Sequence, residues 1–117
     1  MKKTYFILLC VLAFSCSRTE LPFGNSENCD TEINFTDDIQ GIINNSCAYS
    51  GCHLDVAPGN YTSFQGLQGA INSGEFFTRV LSIRDMPPNY APEGRPKSLT
   101  PMEIELINCW AENDYPQ

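Results

Sequence analysis

The chain has 117 residues, with 7 Lys and Arg against 14 Asp and Glu for a formal net charge of -7, and 6 cysteines but a single histidine. That length holds one domain at most, since domains run to roughly 100 to 150 residues. The acidic balance excludes nucleic acid as partner, because that affinity rests on clustered Lys and Arg; the lone His53 excludes an HExxH zinc site, a serine triad elsewhere in the chain and any site built on two imidazoles.

In chain order, Met1, Lys2 and Lys3 make a positive start to an apolar run from Tyr5 to Phe14. The run is too short for a bilayer, which needs about 20 helical residues, and reads as an export signal. It ends in Leu12-Ala13-Phe14-Ser15-Cys16, which resembles a bacterial lipobox, where a small residue precedes a cysteine that is diacylated and becomes the new N-terminus. Cys10 follows Leu9 and fits that role poorly. The expectation is a lipoprotein signal peptide over 1–15 with Cys16 lipidated; a plainly cleaved signal is the other reading. Residues 16–28, polar with Pro and Gly and without periodicity, read as a flexible tether, and 29–117 as the folded domain.

Thr36 before Asp37 and Asp38 predicts a helix start, and Ile39, Ile42 and Ile43 fall on one face of a short amphipathic helix. The stretch Cys47-Ala48-Tyr49-Ser50-Gly51-Cys52-His53 follows. It is a CxxxxCH pattern, a longer relative of the CxxCH haem-attachment motif. Two thiols add across the two haem vinyl groups, and a histidine directly after the second cysteine supplies an axial nitrogen to the iron. The extra loop residues must bulge outward, and Ser50-Gly51 supplies permissive backbone.

Ala57-Pro58-Gly59-Asn60 predicts a turn, and Phe64, Leu67 and Ile71 after Thr62-Ser63 predict a second helix. Phe76, Phe77, Val80, Leu81 and Ile83 form an apolar cluster of one or two helical turns, suited to walling a haem. With no second histidine, the candidates for the far side of the iron are Met86 and Met102. Met86 stands in a loop stiffened by Pro87 and Pro88 and is preferred; Met102 lies in the first turn of the last helix. That helix is marked by the capping box Thr100-Pro101-Met102-Glu103, then Ile104, Leu106, Ile107 and Trp110. No alternating run supports strands and no repeat is present, so the class is mostly α.

Export places the domain in an oxidising compartment, so Cys29 and Cys109, which lack metal-like spacing, read as a disulfide rather than as free thiols.

The helix before the site, the CxxxxCH stretch, Met86-Pro87-Pro88 and the segment from Leu99 to Trp110 together resemble small c-type cytochrome domains of exported bacterial lipoproteins, especially those of the Bacteroidetes. The resemblance covers roughly Phe35 to Tyr115. It implies a compact cytochrome c-like domain of about four short helices, one covalently attached haem c, His/Met ligation and electron transfer. In that related fold Trp110 would pack the last helix against the first, near Gly41, where the family often carries Pro.

Three classes of function follow. The leading one is a lipid-anchored mono-haem c-type cytochrome on the periplasmic or outer-membrane surface, more an electron-transfer protein than an enzyme. Haem would be attached through Cys47 and Cys52, with His53 as proximal ligand and Met86 opposite, and the redox partner would carry a basic patch. The second is a five-coordinate haem sensor or peroxidase, for which Arg79, Arg84 and Tyr90 are the nearby polar candidates. The third is a haem-free, disulfide-bonded lipoprotein binding module in which Cys47 pairs with Cys52 beside an ordinary histidine, or a zinc domain, which adjacent Cys52 and His53 disfavour.

Overall fold

The computed structural model describes residues 29 and 32–117; the signal-peptide reading of 1–15, the Cys16 lipidation site and the 16–28 tether lie outside them. The first element is capped by Asn34, whose extended backbone (φ -134°, ψ 165°) lets its side-chain oxygen accept the Asp37 N–H at 2.9 Å. The Asp38 carboxylate returns the bond, accepting the Asn34 N–H at 2.9 Å. This reciprocal pair spans one residue more than an ordinary capping box. It fits the wide i→i+5 winding of Phe35–Ile39, in which the Gln40 N–H reaches the Phe35 carbonyl. Thr36, expected to cap, is exposed inside the turn. The cap sits two residues earlier, on Asn34, whose side-chain oxygen meets the amide of Asp37.

The winding tightens into α1, Gln40–Ser46, which buries Ile43 and Ser46. Helix α2, Phe64–Asn72, starts at Ser63, whose hydroxyl accepts the Gly66 N–H at 3.2 Å, and buries Phe64, Leu67 and Ile71. The start after Thr62-Ser63 and the buried face are those the sequence predicts. Helix α3, Glu75–Phe77, runs on into a second wide-wound segment, Thr78–Ile83, that buries Val80 and Leu81 and leaves Ile83 exposed. Helix α4, Pro101–Glu112, carries the capping box as the sequence predicts: Thr100 Oγ1 accepts the Glu103 N–H at 3.3 Å, and Glu103 Oε2 accepts the Thr100 N–H at 2.7 Å. The described residues therefore form a mostly α domain of four helices with no strand. No helix among them is long and apolar enough to cross a membrane.

Trp110 is fully buried at the centre of the core. Its ring meets Phe35 at 6.0 Å, Phe64 and Phe76 at 6.4 Å and Phe77 at 6.1 Å between centroids. One residue from each of the wide first turn and α2, and two from α3, thus converge on α4. Such aromatic pairs add about 0.5–1.5 kcal/mol each beyond area burial. The indole N–H is satisfied by the Pro116 carbonyl at 2.9 Å, which also accepts the Phe35 N–H at 2.9 Å, so the C-terminal segment ties the first element to the last.

Trp110 does pack the last helix against the start of the first, but through Phe35 and not near Gly41. Gly41 is exposed, with open space where a Cβ would stand. The contact falls on the wide turn, which buries Phe35 and Ile39. Cys29 is joined to Cys109 across a sequence separation of 80, closing a covalent loop around nearly all of the described chain.

Candidate functional site

Helix α1 delivers the site. Its last turn ends as the Cys47 and Ala48 N–H groups both donate to the Ile43 carbonyl at 2.8 Å, after which the chain enters the Cys47 to His53 loop. Gly51 takes φ +88°, a left-handed value strained for other residues, as the bulge reading requires. The Asp55 carboxylate clips the bulge, accepting the Gly51 N–H at 2.8 Å and the Ser50 hydroxyl at 2.7 Å. Those two donors, the backbone amide first, hold the Asp55 carboxyl below the usual carboxylate range. The loop closes where the His53 N–H donates to the Cys47 carbonyl at 3.0 Å, setting the histidine beside the first cysteine.

The imidazole is held from two further directions. Its Nδ1 lies 2.9 Å from the Pro58 carbonyl oxygen. A carbonyl only accepts, so Nδ1 carries the hydrogen and Nε2 is left as the nitrogen able to bind a metal. The Tyr61 ring stacks on the imidazole with centroids 4.0 Å apart and planes 8° apart, and the Tyr61 N–H donates to the His53 carbonyl at 2.9 Å. Burial raises the Tyr61 phenol, with the Glu75 charge adding to it. The 58–61 turn that makes this grip presses against α2 at Gly66, where any Cβ would collide with the Asn60 carbonyl oxygen.

His53 faces a cavity of about 400 Å³, also lined by Cys47, Cys52, Phe76, Val80 and Met86. The four residues that the sequence singled out as cofactor-binding are thus brought to one pocket. Met102 is 72% exposed on α4 and lies outside it. Of the apolar cluster expected to form a wall, Phe76 and Val80 do so, whereas Ile83 is exposed. Arg79 and Tyr90 also line the pocket and Arg84 does not.

Cys47 and Cys52 are both free thiols, so the pair is not the disulfide of the haem-free alternative. Burial pushes the Cys47 thiol up to about 12, with the Cys52 and Glu103 charges adding to the effect.

The residues present suit a covalently held haem. The cavity falls within the roughly 300–1,000 Å³ usual for small-molecule and cofactor sites. Its donors are two thiols, an imidazole with its second nitrogen already engaged, and a thioether. Ser46 Oγ, on the pocket wall and fully buried, has no hydrogen-bond partner, a polar atom that a bound group with acceptors would satisfy.

Sequence reasoning did not single out Asp55, the Pro58 carbonyl, Tyr61 or Ser46. The turn at 57–60 was visible, but an acceptor on the backbone has no residue signature. Comparison with known protein families, curated proteins and solved structures finds no match. The functional reading is therefore built on the chemistry of these side chains.

Proposed function

We propose that the protein is a lipid-anchored, mono-haem c-type cytochrome that passes single electrons to and from another redox protein. One observation carries the reading. His53, directly after Cys52 and with Nδ1 committed to the Pro58 carbonyl at 2.9 Å, shares a cavity of about 400 Å³ with both pocket thiols and with Met86. Haem iron held there would supply a one-electron couple.

The chain's own residues have defined tasks in this account. The Cys47 and Cys52 thiols would hold the haem by adding S–H across its two vinyl double bonds. The Nδ1–H bond fixes the tautomer and leaves Nε2 free to bind, while the Tyr61 ring and the His53–Cys47 backbone bond limit rotation and displacement of the imidazole. Phe76 and Val80 give the pocket an apolar wall that keeps water from the ligand atoms. Met86 would hold the iron through its thioether, which would favour the reduced state. The acidic surface favours a partner with a basic patch, and that steering weakens with salt on a Debye length of about 10 Å at 0.1 M.

Export through Cys16 and attachment to the cell envelope belong to the same proposal and rest on the sequence pattern. Optical redox titration of the haem-bearing protein tests the function. A single reversible one-electron wave, low-spin in both oxidation states, is the expected result. A high-spin ferric spectrum would overturn the His/Met assignment in favour of a five-coordinate sensor or peroxidase, with Arg79 and Tyr90 as its polar groups.

A further inference from the structure

The loop carrying Met86 is fastened to the helical segment before it by a double link between two residues. The Asp85 N–H donates to the Arg79 carbonyl at 3.2 Å, and Arg79 Nε–H donates to Asp85 Oδ1 at 2.6 Å. One turn back along the helix, Glu75 Oε1 lies 4.0 Å from Arg79 Nη1. Between the linked residues the chain reverses at Arg84, a non-glycine residue at φ +58°. Glu75, Arg79 and Met86 all line the His53 pocket, and Asp85 is the residue bonded to Met86.

We propose that the Arg79–Asp85 pair is a latch that keeps the Met86 thioether on the iron, which makes Arg79 and Asp85 positioning residues for the sixth coordination site; this rests on the haem reading above. A thioether favours ferrous over ferric iron. In the ferric state, where the thioether bond is weaker, the loop's own preference for its closed position would add to how much of the time the sulfur stays bound. The two links act on that preference directly. Moving Asp85 away from the helix would break the side-chain bond and the Asp85 backbone bond, one to the guanidinium and one to the carbonyl of Arg79. An exogenous ligand can enter only the fraction of molecules in which the sulfur is off, so its apparent affinity scales with that fraction.

The probe is imidazole, titrated by visible spectroscopy into the ferric haem-bearing protein. An exposed ion pair shifts an equilibrium about 1.4- to 5-fold. Asp85→Asn and Arg79→Gln are each expected to bind imidazole tighter than wild type by that factor, with Arg79→Lys nearer to wild type. The double variant Arg79→Gln/Asp85→Asn is expected to be no tighter than either single variant, since one pair is lost in all three. Raising the salt concentration should tighten imidazole binding in wild type and leave the double variant unmoved.

Single variants that bind imidazole as wild type does, or whose effects multiply in the double variant, would overturn the latch. Met86→Ala serves as the reference for an open site. If it binds imidazole no tighter than wild type while the haem stays attached, the latch proposal fails and the haem reading survives. Absence of attached haem in wild type overturns both.

Discussion

In the haem-free protein Cys47 is expected to be a slow thiol, and the rate can be worked out. Cys47 is 8% exposed, and burial lifts its thiol from the ordinary 9.0 to about 12. At pH 8 a thiol at 9.0 is about one-tenth ionised and one at 12 only about one part in ten thousand, a loss of about 900-fold in thiolate. The more basic thiolate is also the better nucleophile, and a Brønsted slope of about 0.45 over three units returns a factor of about 20. The net expectation is a reaction about 40-fold slower in the folded than in the urea-unfolded chain, before any steric protection.

The assay is timed reaction with an aromatic disulfide reagent, read site by site by mass spectrometry, in the folded and the unfolded chain. The folded Cys47 rate should climb about tenfold per pH unit from 7 to 10 without a plateau. A plateau near pH 9, or equal rates in the two states, would refute the burial argument. The same shift has a stability consequence. The native thiol keeps its proton to higher pH than the unfolded one, so the stabilisation is complete below 9.0 and is lost as pH rises from 9.0 towards about 12. In haem-bearing protein the sulfur is a thioether, and neither Cys47 nor Cys52 should react even after unfolding.

Four further expectations follow from the packing and the pocket. Trp110→Ala removes the ring on which Phe35, Phe64, Phe76 and Phe77 converge and should cost about 3–5 kcal/mol in chemical denaturation; a loss under about 1 kcal/mol would show that the cluster is not the core. Cys29→Ser with Cys109→Ser opens a loop spanning 80 residues, for which the chain-entropy relation gives about 4.5 kcal/mol, so an unchanged denaturation midpoint would contradict a stabilising role for the bond. Gly66→Ala forces the 58–61 turn away from α2 and should lower both the melting temperature and the yield of haem-bearing protein, whereas Gly41→Ala, facing open space, should lower neither. Met86→Ala should abolish the near-infrared sulfur-to-iron band of the ferric protein and Met102→Ala should leave it intact; the reverse result would move the sixth ligand to α4.

Features governed by neighbours along the chain were legible in the sequence. The α4 start is written in Thr100-Pro101-Met102-Glu103, and the α2 face in Ser63, Phe64, Leu67 and Ile71, because a cap and a helical stripe depend on residues a few places apart. The first helix shows where such reading stops. Thr36 and Asn34 are both good capping residues, and the structure uses Asn34, ahead of a wide turn that buries Phe35 and Ile39. Gly41 reads as a site of close helix crossing, yet it faces open space and Trp110 meets Phe35 instead.

At the site, Cys47, Cys52 and His53 were legible as a local pattern, and Met86 as a methionine in a Pro-rich loop. The parts that orient them were not. Pro58 contributes a carbonyl, Tyr61 a ring that meets His53 only after the 57–60 turn, and Arg79 a bond to Asp85 across the reversal at Arg84.

The most direct test of the central claim is a pyridine haemochrome spectrum with a haem-stained denaturing gel. The samples are wild type and Cys52→Ala, exported from a host that attaches haem to c-type cytochromes. The account expects haem that stays with the wild-type chain through denaturation, with the absorption of a thioether-linked haem, and loss or weakening of that attachment in Cys52→Ala. A wild-type chain without haem, in cells where a control cytochrome matures normally, would contradict it.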